Sequence, residues 1–334
     1  MKKNILLLLF AFLSFIISGC AQKVSVRALE PAEIDRATNT KKIAVTSFLN
    51  DRVGLGGKIE AKLANQKIDG KNFFTLISRT DIDKVIKEQK LQNSGLIDTS
   101  TIVDVGNLLG AEAIISGDVG EATSNDTYYY ESRVACADKE CKHLTTYQVG
   151  CTKRVAGLSA QIRMVDVAKG DIIYADTMSK SAEYTHCRDD SRAIPSTDMI
   201  AQNLANSIAS NFTYKLTPHY RYFDVALLDD PDLDYTDEQE KLLENALEYV
   251  EQKRYDKAEK LLMELIDSTA QQSYVAFYNL GVVEEAQGDY EKAQEYYKMA
   301  DDLMVEPVEE ISTAYLRINK IISNEVKTQE QIAR

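Results

Sequence analysis

Four cysteines, Cys136, Cys141, Cys151 and Cys187, fall in one stretch of the chain, with His143 and His186 beside two of them. Thiolates and imidazoles are zinc ligands, and the same thiols in an oxidising compartment join in pairs instead. Structural zinc sites draw on C-x2-C pairs, and this sequence has none. With an even count, the spacing favours two disulfides over a metal if the chain is exported.

The first twenty residues decide export. Lys2 and Lys3 precede an apolar run over residues 5–17, and the small residues Ser18 and Gly19 follow, the pattern of a secretion signal over residues 1–19. The run is shorter than the roughly 20 residues of a membrane-spanning helix. Ile17-Ser18-Gly19-Cys20 resembles the bacterial lipobox. That resemblance implies that Cys20 becomes the first residue of the mature chain and carries acyl chains, whose buried methylenes contribute about 0.8 kcal/mol each. The next residues, Ala21 and Gln22, include no aspartate. By resemblance to enterobacterial sorting, this implies the outer membrane, with the protein facing the periplasm.

Other chemistry is sparse. Three histidines stand in no constellation with a nucleophile, and Asp81 and Asp83 read as residues that start a helix. Gly54, Gly56 and Gly57 sit between a strand and a helix, a place where phosphate binds. The loop has no Gly-Lys-Ser/Thr ending and no complete G-x-G-x-x-G, so a plain connection is expected. No enzyme, cofactor or metal follows from this inventory. The formal net charge is -13, and loss of the two signal-peptide lysines leaves 37 basic against 52 acidic side chains, which excludes a nucleic-acid partner. The partners expected are the membrane, through the lipid, envelope proteins, and further copies of the chain.

The elements that must position these residues begin after a lipidated tether over 20–40. Alternation over 43–48 predicts a strand, followed by a helix over 58–66 and a strand over 73–77. Thr80 caps a helix carrying Ile82, Val85 and Ile86, and Thr99 or Ser100 caps another that Gly110 ends. A short strand over 113–116 and two alternating strands over 158–167 and 171–180, turning at Lys169-Gly170, complete a mixed α/β sheet with flanking helices, domain 41–217. A long hairpin fills 120–157. With Ala137-Asp138-Lys139-Glu140 as its turn, Cys136 faces Cys141, Val134 faces His143, Tyr130 faces Tyr147 and Tyr128 faces Val149. One face is then aromatic, with Tyr128, Tyr130 and Tyr147 as candidate partner-binding residues. The other carries Glu131, Arg133, Lys142 and Gln148. Pairing Cys136 with Cys141 leaves Cys151 for Cys187.

A linker over 218–236 leads to an all-α part over 237–325 and a tail over 326–334. Two segments superimpose with an offset of 35 residues, Ala246 on Gly281, Tyr255 on Tyr290, Ala258 on Ala293 and Leu265 on Ala300. This is similar to a tetratricopeptide repeat pair, in which small residues let two helices approach while Leu262 and Tyr297 fill the groove. A helix over 307–324 caps the stack.

The α/β part resembles the curli production assembly/transport component family, outer-membrane lipoproteins that secrete amyloid fibre subunits, over about residues 41–214. The carrying residues are Arg79-Thr80-Asp81-Ile82, Glu88-Gln89, Gly110-Ala111-Glu112-Ala113, Ser116-Gly117-Asp118, Ile162-Arg163-Met164-Val165-Asp166-Val167 and Gly170-Asp171. The same domain occurs in lipoproteins that activate peptidoglycan synthases. The family's secretion channel inserts two membrane hairpins per protomer. Here the second has only residues 181–194 available, too short for two strands of about 9–11 residues. The expectation is therefore an assembly or secretion accessory that binds partners through both domains, with a curli-type channel or a synthase activator as alternatives.

Overall fold

The computed structural model describes residues 22–78, 82 and 99–334. The chain forms two compact units. One is Pro31–His219 with Glu330–Arg334; the other joins residues 22–30 to Tyr220–Gln329. The N-terminal strand β1 (Lys23–Glu30) belongs to the second unit and is described with it.

The α/β unit is built on β2 (Lys42–Val45), α1 (Leu55–Ala64), a small hairpin of β3 (Lys67–Ile68) and β4 (Lys71–Asn72), β5 (Thr75–Leu76), α2 (Thr99–Leu109) and β6 (Ala113–Val119). Three long strands follow, β7 (Thr123–Cys136), β8 (Leu144–Asp166) and β9 (Ile172–Cys187), and then α3 (Thr197–Leu216). The sheet order is β5-β2-β6-β8-β7, with β9 on β8. β2 runs parallel to β5 and β6, and β6 is antiparallel to β8.

Strand alternation decides the two cores. Ile43, Val45, Ile115, Ile162 and Met164 point to the face covered by α1 and α3, where Ile59 and Phe212 are fully buried. Ala44, Ile114 and Val165 point the other way, onto Ile102 and Val105 of α2. Each isoleucine, valine, methionine or phenylalanine among them, withdrawn from water, contributes about 1.5–3 kcal/mol. Gly110, with φ +63°, ends α2 in the left-handed conformation that a side chain would strain. Of the helix expected from Thr80, only Ile82 lies within the described residues, and it is buried.

In the helical unit, β10 (His219–Ala226) pairs with β1. Five helices follow: α4 (Asp237–Glu251), α5 (Tyr255–Ser268), α6 (Tyr274–Gln287), α7 (Tyr290–Leu303) and α8 (Glu309–Ala333). Thr236 caps α4 reciprocally with Gln239. The 35-residue offset has a packing cause: Ala246, Ala258, Ala293 and Ala300 are all fully buried. At Gly281 a Cβ would lie 2.7 Å from the Tyr297 ring, so the fully buried Tyr297 requires a glycine opposite it.

The boundaries differ from the sequence expectation at three places. Residues 23–30 are a strand and not part of a tether, because Val24, Val26 and Ala28 alternate into the helical core. Residues 219–226 of the expected linker are its partner strand. The tail is the end of α8, where Gln331 is fully buried and bonds both polar groups of the Ala32 backbone.

Candidate functional site

Beyond the sheet, β7, β8 and β9 continue as a three-stranded arm. β8 is long enough to serve both parts: its residues 160–166 pair with β6, its residues 144–157 pair with β7, and β9 lies along the opposite edge. At the base, Arg154 clasps Asp126 with two bonds of 2.7 Å and donates a third to the Pro195 carbonyl. The Arg154 hydrogen bonds hold the Asp126 carboxyl below its usual range.

The observed register corrects the expected one. Cys136 stands opposite Leu144, Val134 opposite Thr146, Tyr130 opposite Gly150 and Tyr128 opposite Thr152, a slip of three residues. The cause is the turn, which spans 137–143 rather than four residues. The Asp138 carboxylate accepts from the backbone N–H groups of Lys142 at 2.8 Å and His143 at 2.9 Å and contacts the His143 ring at 2.8 Å. These contacts lower its pKa, the Lys142 bond most. Cys141 takes φ +57° inside this loop and bonds to Cys136, so the disulfide closes the turn instead of crossing the strands.

An odd slip exchanges the faces of one strand against the other. Tyr128, Tyr130 and Val134 share their face with Leu144 and with Gln148, which donates to Ser132 at 2.6 Å. Tyr128 and Tyr130 are about three-quarters exposed, at 76% and 77%. Tyr147 lies on the opposite face with Glu131, Arg133 and Val149, so the three tyrosines do not form one patch. On that opposite face Cys151 and Cys187 sit directly across from each other and are bonded, and with Val149 and Tyr129 they make a small buried cluster. Arg133 rims it, 3.1 Å from Glu131 and 3.5 Å from Asp189.

A metal finds little here. Glu131, Cys151 and Cys187 bring three donor atoms within 4.8 Å. With the two sulfurs bonded to each other, only the carboxylate remains a ligand. His143 is engaged by Asp138, and His186 is 2.6 Å from the Arg192 carbonyl, so neither imidazole joins that cluster. The glycine loop has its own anion: Asp51 accepts from the N–H groups of Leu55 at 2.7 Å and Gly56 at 3.0 Å, filling the place a phosphate would take at the start of α1. Sequence reasoning missed Asp51, Leu144 and the Arg154–Asp126 clasp. An aspartate shortly before a helix start was the available signal for the first. The other two depend on a register that only the turn fixes. Cys20 lies outside the described residues.

The family model described as curli production assembly/transport component CsgG matches residues 20–188, and a domain of unknown function (DUF6340) matches residues 244–327. No curated protein matches. Among solved structures, lipoprotein GNA1162 from Neisseria meningitidis is 18% identical over 51% of this chain and 99% of that one, with a TM-score of 0.27. The LpoB C-terminal domain from Salmonella enterica is 12% identical over 45% and 95%, with a TM-score of 0.26. The PelC dodecamer from Paraburkholderia phytofirmans is 14% identical over 59% and 99%, with a TM-score of 0.22.

Proposed function

The chain belongs to the curli production assembly/transport component family, and from that premise we propose that it is a lipid-anchored assembly accessory of the cell envelope with no reaction of its own. Cys20 carries the lipid and holds the protein on the periplasmic side of the outer membrane. The arm meets one protein partner through Tyr128 and Tyr130, and the helical hairpins, of tetratricopeptide type, meet another.

The arm carries this reading. It exposes Tyr128, Tyr130, Val134 and Leu144 on one face, and the polar groups around them pair with one another instead of facing a reacting centre. Aromatic side chains on a rigid, disulfide-tied ribbon give large contact area at low entropic cost. A channel of two hairpins per protomer is the weaker reading. Residues 181–187, where the second would be inserted, serve as the third strand of the arm, and Cys187 is tied to Cys151.

Two measurements test the proposal. A photo-crosslinking residue replacing Tyr130 is expected to give a discrete protein adduct in intact cells, lost when Tyr128 is changed to Ser. Full-length protein in planar bilayers is expected to give no stable conductance. Conductance abolished by deleting residues 127–154 overturns the reading in favour of a channel.

A further inference from the structure

Two residues after the cysteine that the sequence marks for lipid, the chain is already held in place. Gln22 is already fixed in the helical unit: its side chain donates to the Leu247 carbonyl at 2.9 Å, and its own carbonyl accepts from the Leu227 N–H at 2.8 Å. The strand that follows is locked as well, by Val24, Val26 and Ala28 in the core and by the Tyr290 hydroxyl, which donates to the Arg27 carbonyl at 2.7 Å. Pulling Gln22 away from the unit therefore means stripping β1 from a packed core.

Only Cys20 and Ala21 precede this fixed point in the mature chain. At about 3.3–3.6 Å per residue, the Cys20 Cα can stand no more than roughly 7 Å from that of Gln22. The headgroup layer on each side of a bilayer is itself roughly 5–7 Å deep. A flexible tether of about 20 residues would instead have let the domain wander roughly 25 Å from its anchor. We infer that the helical unit is held against the lipid headgroups by the surface that surrounds the start of β1, Leu227 and the C-terminal turn of α4. The lipid layer is the occupant of that surface, because the two residue steps that separate Cys20 from Gln22 permit nothing thicker between them. This inference rests on the lipidation of Cys20 proposed above.

The geometry also chooses the reporter. Glu251 is exposed and one helical turn, about 6 Å, beyond Leu247. The lipid-modified full chain carrying Glu251→Cys, labelled with an environment-sensitive fluorophore, is placed in vesicles of phosphatidylethanolamine and phosphatidylglycerol doped with a headgroup nitroxide lipid. Strong quenching is expected. Inserting about twenty Gly and Ser residues between Ala21 and Gln22 should relieve most of it, while incorporation of labelled fatty acid at Cys20 stays the same. Acylated protein whose Glu251 reporter is unquenched overturns this inference and leaves the lipid anchor standing. Quenching that survives the insertion overturns it too, because the surface would then bind lipid by its own affinity. Absence of fatty-acid label removes the anchor and the inference together.

Discussion

Glu284 and Glu285 are adjacent on α6 and both buried, yet their surroundings differ. Glu285 receives two bonds from Arg317, at 2.9 and 2.7 Å, and the Tyr297 hydroxyl. Burial would lower the Arg317 pKa, but the Glu285 hydrogen bonds and charge outweigh it, so the guanidinium ends raised. Glu284 has one oxygen with no hydrogen-bond partner among the described residues, and its other oxygen is 3.6 Å from Lys292, which also holds Asp289 at 2.9 Å. Burial, then the charge of Glu259, raises its pKa, and Lys292 only partly offsets this. A raised carboxyl makes the folded state bind the proton more tightly than the unfolded chain does. Stability is therefore lost as pH rises from the ordinary carboxylate value through the raised one. Glu284→Gln removes the charge, and the variant is expected to be more stable near neutral pH, seen as a higher melting temperature. The gap should close as pH falls below the ordinary value of 4.5. Thermal melts across that range check it, and a gap that widens in acid would contradict the assignment. The pair is interior because α6 is covered on all sides, which the periodicity of its own residues does not reveal.

At the scale of elements, the arm shows what spacing determines and what it leaves open. The expected cysteine pairs are the observed ones, but the cross-strand register from which Cys136 is paired with Cys141 is not, since Cys136 stands opposite Leu144. The register was not legible, because it depends on how many residues the turn holds, and Asp138 fixes that number through hydrogen bonds within the loop. A slip of three then moved Tyr147 to the far face. The two bridges also differ in what they constrain. Cys136–Cys141 spans 5 residues and Cys151–Cys187 spans 36, so by chain entropy they contribute about 2 and about 4 kcal/mol. The exported protein is expected to weigh four hydrogens less than the reduced chain. Replacing Cys151 and Cys187 by Ser should speed amide exchange along β8 and β9. Replacing Cys136 and Cys141 should affect only the tip. Equal exchange in both double variants, or free thiols with stoichiometric zinc in the exported protein, would show that the sulfurs serve another purpose.

At the scale of the whole molecule, the proposed lipid anchor and the arm are the two candidates for holding the protein at a membrane. Among the described residues no helix is long and apolar enough to cross one. The arm is a poor candidate for insertion, since a barrel strand needs an apolar lipid-facing row about 25 Å tall. The face with Tyr128 and Tyr130 also carries Asp126, Ser132, Gln148, Thr152 and Arg154, and the other carries Glu131, Arg133, Lys153 and Glu183. In hydrocarbon each Arg or Lys on such a row costs about 2–4 kcal/mol at mid-depth, an Asp or Glu less, and each unpaired edge group several more. The sequence made both domains legible but misjudged the join, because β1 and β10 are short strands that pair with each other and pack on the helical core. The lipid proposed at Cys20 is tested directly: Cys20→Ala is expected to abolish fatty-acid labelling and outer-membrane fractionation together. Deleting residues 127–154 should leave both intact. If Cys20→Ala protein stays in the outer membrane and the deletion releases it, the arm is the anchor and the lipid reading fails.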